Sequence, residues 1–236
     1  MKRITSEEIT DNVKNRNIDM TLDLGGSEIA DMDMSGWDLR NIDFTGSDFE
    51  NVDLTGADFD RSILHKVWFK DCSMRSVHLT NADVTEATLR YIDLSGSDFS
   101  GSNFHSALLE YAVLDGVVDD ENTKFYRLRC PETGPFIAWK CCTELRVVQL
   151  LVPADARRVS ATAETCRCDK AKVLSIKSID ETISYDWAQS TVDQDFYYEK
   201  GKWVYPSSFQ PDRWMDSSPG IHFFMNRQEC VDYQSK

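Results

Sequence analysis

No stretch of this chain is apolar for long enough to cross a bilayer as a helix, and from the sequence neither a secretory leader nor a lipidation motif is expected. Catalytic signatures are missing as well. There is no Gly-x-Ser-x-Gly, no Walker A and no His-Glu-x-x-His, and only four histidines (His65, His78, His105 and His222) could act as bases. The seven cysteines, an odd number, fall as Cys141-Cys142 and Cys166-x-Cys168, with Cys72, Cys130 and Cys230 apart; none forms the Cys-x₂-Cys knuckle of a structural zinc site. These absences predict a cytoplasmic, non-enzymatic protein with reduced thiols, no metal, no cofactor and no membrane partner.

Positive charge is also scarce. The chain has 236 residues with 26 Lys and Arg against 40 Asp and Glu, a net charge of −14. The deficit is uneven: residues 1–118 hold 10 bases and 22 acids, whereas 119–236 hold 16 and 18. An acidic N-terminal half repels phosphate backbones, so no direct nucleic-acid binding is expected.

What the sequence has is a period of five. From Leu24 to Leu114 every fifth residue is Leu, Ile, Met, Phe or Val, nineteen in succession without an exception. Two places earlier stands a smaller residue, as at Ser47, Ala57, Ser62, Cys72, Ala82 and Ser97; the place just before is usually Asp, and Gly recurs two places after. A period of five fits neither a helix nor a flat strand. It persists only if each pentad is one side of a coil that turns a corner before repeating, which marks a β-solenoid. Asp and Gly suit the corners, because Asp bonds nearby backbone and Gly tolerates positive φ.

The run SGWDLRNIDFTGSDFENVDLTGADF resembles the pentapeptide-repeat family. The resemblance implies a mainly β chain: a right-handed quadrilateral β-helix over 22–118, four pentads to a coil and just under five coils. A capping segment (1–21) precedes it, with a helix starting at Ser6, and a compact α+β domain (119–236) follows. Four pentads per coil stack residues twenty apart. The outward column 28, 48, 68, 88, 108 then reads Glu, Asp, Trp, Thr, Leu. Ile63, Trp68, Leu108 and Val113 interrupt the polar outer surface and are expected to be an interaction face, covered by the second domain or a partner. Homo-oligomer formation is compatible with such a face.

In the second half, strands are expected at 125–129, 135–142, 145–152, 171–176, 195–198, 202–205 and 220–224, with short helices at 153–156 and 226–233. The stretches YRLRCPETGPFIAWKCC, LLVPADARRVSATAETCRCDKAKVLSI and SPGIHFF resemble an uncharacterised domain that accompanies pentapeptide repeats in bacterial and phage proteins. Between Lys124 and Lys172 ten bases face five acids. Arginine matches phosphate bidentately. Arg157, Arg158 and Arg127, with Tyr126 and Trp139 as stacking surfaces, are therefore expected to take an anionic, nucleotide-like small molecule, unless these bases dock on the solenoid's acids. In a phage setting such sequestration would serve counter-defence.

Two further expectations come from resemblance. Some pentapeptide-repeat proteins present an acidic rod to DNA gyrase or topoisomerase as a DNA mimic, which the acidic repeat fits. Tyr126-Arg127 and GIHFF followed by QECVDY resemble parts of the ADP-ribosyltransferase fold, with His222 where that family has Tyr in its NAD-lining strand. That family's catalytic Glu comes well after the strand, and only twelve residues follow Phe224 here.

Overall fold

The computed structural model describes residues 2–234, and the chain divides into two compact units, Met1–Arg127 and Leu128–Lys236. The first begins with a two-residue strand, Lys2–Arg3, that pairs in parallel with Ser27–Ala30 and so fills the open edge of the first coil. Helix α1 (Ser6–Asn15) follows, burying Ile9 and Val13. Thr5, not Ser6, is its N-cap: the Thr5 hydroxyl accepts from the Glu8 amide (3.2 Å) and Glu8 accepts from the Thr5 amide (3.0 Å). This reciprocal box needs a spacing of three, and Glu8 lies three residues after Thr5.

Beyond α1, parallel bridges join residues twenty apart. Asp38, Asp58, His78, Asp98 and Val118 form one ladder, and Asp33, Asp53, Ser73, Asp93 and Val113 another. Most large residues of the period hold the next coil through their amides, as Phe44 does to the Ile63 carbonyl (2.8 Å) and Phe59 to that of His78 (2.7 Å). Eighteen of the nineteen are buried, and Leu114, in the last coil, is half-buried. The aromatic ones touch: Phe44 meets Phe49 edge-on at 5.2 Å, and Phe49 stacks on Phe69 at 5.2 Å.

The smaller inward residues include serines whose polar atoms are satisfied by the coils themselves. Ser62 Oγ donates to the Leu39 carbonyl (2.6 Å) and accepts from the Ile42 amide (3.4 Å); Ser97 repeats this with Met74 (3.3 Å) and Val77 (3.2 Å). Buried hydroxyls so partnered cost little. Cys72, at an equivalent position, is half-buried with its thiol toward the Phe49 carbonyl.

The corners explain the recurrent acid. Asp33 accepts from the Ser35 amide (2.9 Å), Asp43 from Thr45 (2.8 Å) and Asp98 from Ser100 (2.9 Å). The residue after each such amide turns left-handed, as at Gly36 and Gly46. Hydrogen bonding holds several of these carboxyls low. The bound Arg40 guanidinium keeps Asp38 at about 2, and the side chains of Ser35, Ser95 and Asn122 lower Asp33, Asp93 and Asp120. Asp48 shifts the other way, raised by burial and by Glu28. A folded pKa below the unfolded one stabilises at neutral pH, and that stability disappears as pH falls through the folded value. With more of these carboxyls lowered than raised, Glu110 among the lowered ones, the melting temperature of the solenoid is expected to drop between pH 4 and pH 2, the interval from the ordinary carboxylate value to that of Asp38. A flat melting profile across that interval would contradict the corner assignment.

Near the end of the first unit, Thr123 donates to the Phe99 carbonyl (3.1 Å), and the Tyr126 ring packs edge-on to Phe99 (5.2 Å) and against Phe104 (5.7 Å). These contacts cover the last coil's aromatic core. Residues 125–129 therefore form no strand: Phe125 is left-handed (φ 61°) and the segment closes the solenoid.

The second unit is built on one antiparallel sheet. Its strands are β1 (Phe136–Cys142), β2 (Arg146–Val152), β3 (Arg158–Ser160), β4 (Thr165–Cys168), β5 (Ala171–Ser178), β6 (Trp203–Val204) and β7 (Ile221–Phe224), in the order β6-β5-β2-β1-β7-β4-β3. A separate hairpin pairs Trp187–Gln189 with Tyr197–Glu199. Alternation along β1 and β2 sends Ala138, Cys142, Val148 and Leu150 into the main core, and Trp139, Cys141 and Val147 to a smaller one shared with Phe224 and with Cys230 of helix α2 (Arg227–Gln234). Residues 153–156 make a turn instead of a helix, closed by the Ala156 amide on the Pro153 carbonyl (3.1 Å). Pro153 follows a strand directly, and four residues are too few to nucleate a helix. β3, β4 and the strand Trp187–Gln189 have no counterpart among the expected strands.

Candidate functional site

The solenoid's outward residues follow the same register as its core. Asp43, Asp48, Asp53 and Asp58 pair with Ile63, Trp68, Ser73 and His78 of the next coil. One coil thus breaks four columns that are acidic before it. Trp68 is 46 % exposed and Val113 43 %, while Ile63 and Leu108 are half-buried. Trp68 stands in line with Thr88 and Leu108; Ile63 lies on the preceding side of the coil and Val113 on the following side. The bases around Trp68 are engaged with acids: Lys66 with Glu86 (3.5 Å), Arg75 with Asp93 (3.5 Å), Arg61 with Asp60 (3.0 Å), and Lys70 with Glu50. Such exposed pairs contribute little to stability.

Two residues of this surface were not singled out in the sequence. Tyr91 and Tyr111, twenty apart, are 72 % and 56 % exposed. Their rings stack with centroids 4.9 Å apart and planes 9° from parallel. Both backbones are left-handed, at φ 63° and 61°, at the corner position where the repeat elsewhere has mostly Gly, Asn, Asp or Ser, and Arg61, Lys66 and Glu86 once each. That conformation costs a bulky residue about 1–2 kcal/mol. The signal was legible as two tyrosines at the corner position of successive coils.

The expected ligand residues are divided between the two units. Tyr126 and Arg127 belong to the first unit, and Trp139, Arg157 and Arg158 to the second. Arg127 pairs with Asp119. Arg157 pairs with Asp169 (2.7 Å) and lies over Phe209 (4.9 Å). The Arg158 guanidinium donates to the carbonyls of Pro131 (3.3 Å), Gly134 (2.7 Å), Pro153 (2.6 Å), Ala154 (3.0 Å) and Ala156 (3.1 Å), over the Phe136 ring. Trp139 packs beside Phe224 and Cys230. Arg146 is flanked by the rings of Tyr185 (4.3 Å) and Trp187 (4.5 Å) and bonds the Trp187 carbonyl (2.8 Å). Lys140 is buried in β1, and burial lowers its pKa.

The cysteines of the second unit are buried. All are free thiols: Cys166 donates a hydrogen bond to Cys130 and Cys230 one to Cys141, and the Cys141 thiol lies 2.6 Å from the Cys230 carbonyl. Burial pushes the thiols of Cys142 and Cys168 up to about 12, and the neighbouring sulfur followed by burial raises Cys166 and Cys230. Those four raised thiols are poor nucleophiles, whereas hydrogen bonding from Cys166 and Cys230 lowers their partners Cys130 and Cys141. Among the described residues no three His, Cys, Asp or Glu side chains come together as a metal site. His222 Nε2 lies 2.8 Å from the Ser218 carbonyl, and burial lowers its pKa. Among the described residues no helix is long and apolar enough to cross a membrane.

No curated protein matches the chain. Solved structures do, at low similarity. Rfr23, a pentapeptide repeat protein from the cyanobacterium Cyanothece 51142, is 16 % identical over 48 % of this chain and 97 % of its own, with a TM-score of 0.21. A pentapeptide repeat protein of the Arabidopsis thaliana thylakoid lumen is 16 % identical over 50 % of this chain and 76 % of its own, at 0.21. A pentapeptide repeat protein from Nostoc Pcc 7120 is 22 % identical over 52 % of this chain and 84 % of its own, at 0.16. Two family models match, one described as a pentapeptide repeat region and the other as a family of unknown function (DUF5758). The chain therefore contains a pentapeptide-repeat region over residues 42–118 and, adjoining it, a domain of that family of unknown function over residues 126–230.

Proposed function

We propose that this chain is a non-enzymatic interaction protein of the cytosol, in which the acidic solenoid, a right-handed four-sided winding of just under five coils, presents a docking face to a partner protein. The observation that carries this is Trp68. A solenoid needs apolar residues only inside, yet this indole stands outward and 46 % exposed, in a column that also holds Leu108. Ile63 and Val113 extend the face onto the two adjoining sides. The test is affinity capture with the wild-type chain and with Trp68→Ser, followed by mass spectrometry of what is retained. Proteins held by the wild type and lost by the variant, at unchanged melting temperature, support the role. An identical retained set removes it.

A second role has an observation of its own. Three outward columns carry Asp in the first, second and fourth coils, at 23, 43 and 83, at 33, 53 and 93, and at 38, 58 and 98. Columns of carboxylates about 4.8 Å apart in the first two coils, resuming about 9.6 Å on in the fourth, resemble a charged strand more than a surface evolved only to be wet. A DNA mimic acting on gyrase or topoisomerase would use those rows. It should inhibit supercoiling, and Asp43→Asn with Asp83→Asn should relieve the inhibition while keeping the corner hydrogen bonds. No inhibition by the wild type ends this second role and leaves the first in place.

A further inference from the structure

One corner of the solenoid carries both a row of acids and the exposed tyrosine stack. Residues 31, 51, 71, 91 and 111 occupy the same corner of successive coils and read Asp, Asn, Asp, Tyr, Tyr. Asp31, Asn51, Asp53 and Asp71 line a shallow groove on this corner, and the Asn51 amide donates to Asp31 (2.9 Å). Beyond Asp71 the groove's line runs onto the faces of Tyr91 and Tyr111, with the exposed Val113 beside them. Two bases flank this corner and both are paired: Lys70, beside Asp71, with Glu50, and Arg90 in a bidentate pair with Glu110 (2.7 and 2.8 Å).

We infer that this corner is the docking strip for an arginine-bearing extended segment of a partner protein, an assignment that rests on the interaction role proposed above. Charge complementarity selects the occupant. The groove offers carboxylates, and the tyrosines offer electron-rich ring faces. A guanidinium is the side chain that satisfies both, pairing with carboxylates through its planar fork and stacking on aromatic rings. Spacing agrees with an extended peptide. Tyr91 and Asp31 are three coils apart, about 14 Å at 4.8 Å per coil, and side chains four residues apart on one face of a strand are separated by about the same distance. A nucleic acid, whose bases could also stack on tyrosine, would bring its phosphates onto the acids.

The test uses two labelled peptides, Gly-Arg-Gly-Arg-Gly-Arg-Gly and its lysine counterpart, titrated against the full chain by fluorescence anisotropy at about 0.15 M salt, where long-range attraction is screened. The arginine peptide is expected to bind about tenfold more tightly than the lysine peptide. Tyr91→Asn with Tyr111→Asn, which places a corner-compatible residue at both left-handed positions, should abolish that preference without lowering the melting temperature. Should that pair of changes prevent folding, Asp71→Asn serves instead and should weaken arginine-peptide binding about threefold. Equal affinity for the two peptides, or a preference that survives the substitutions, overturns the assignment. Sedimentation run in parallel covers the other occupant: self-association of the wild type that the tyrosine substitutions abolish would make the strip a contact between copies and overturn the partner assignment. Failure of both peptides to bind ends this inference, while Trp68-dependent capture would still stand.

Discussion

Replacing Phe59 by Asp is expected to abolish the cooperative unfolding transition of the solenoid. Phe59 is fully buried, its ring 6.2 Å from that of Phe44, and its amide holds the His78 carbonyl of the next coil. Removing a core aromatic costs about 3–5 kcal/mol. Burying an unpaired carboxylate among Phe and Leu adds several more unless the group takes up a proton. The sum approaches the whole stability of an ordinary domain, about 5–15 kcal/mol. Damage spreads because each coil is stabilised mainly by its two neighbours. Phe59→Leu keeps the site apolar and should lower the melting temperature while leaving one transition. Circular dichroism melts and gel filtration read both. A soluble Phe59→Asp chain with an unchanged melting temperature would place residue 59 on the outside and shift every pentad with it.

The difference between the two halves in what their sequence reveals has a physical cause. In the solenoid each pentad meets the same surroundings as the one before it. A core position is therefore repeated nineteen times, and chance has little room to imitate it. The corner acids were legible for the same reason, since Asp33, Asp43 and Asp98 accept from an amide two residues on, a contact contained in the local sequence. The first cap was misplaced by one residue because Thr5 and Ser6 are both good caps, and only the reach of Glu8 decides between them. In the second unit, partners lie far apart in the chain. β1 was visible as an apolar run, but β4 is fixed on one side by β7, more than fifty residues away, and on the other by the three-residue β3, and neither TCRC nor RVS has a periodicity of its own. The arginines show a related effect. Their number suggests a phosphate site, while the acceptors around Arg158 in the ligand-free chain are backbone carbonyls of two separate turns, which no side-chain pattern announces.

Arg167→Ala is expected to be the most destabilising charge removal in the second unit, at about 3 kcal/mol, the scale of losing a buried charged donor with several acceptors. Arg167 lies in β4 and is 2 % exposed. Its guanidinium gathers the loop before β7, donating to the carbonyls of Asp212 (3.0 Å), Asp216 (2.6 Å) and Met215 and to the Ser218 hydroxyl. Ser218 in turn offers its carbonyl to His222. Lysine cannot replace the fork, so Arg167→Lys should recover little. Arg158→Ala follows at about 2 kcal/mol, because five carbonyl contacts lose one donor group. Arg157→Ala should cost less than about 1 kcal/mol, since its pair with Asp169 is largely exposed. In a domain of this size the first change lowers the melting temperature by about 10 °C or more and the last by a few degrees. This ranking separates an architectural arginine from a ligand-binding one. A structural Arg158 destabilises the free protein when removed, whether or not any anion is present. If Arg158→Ala leaves the melting temperature of the free protein unchanged but erases a thermal shift given by a cyclic nucleotide or ADP-ribose, its donors turn toward a phosphate in solution. In that case the anion site expected from the density of bases is real.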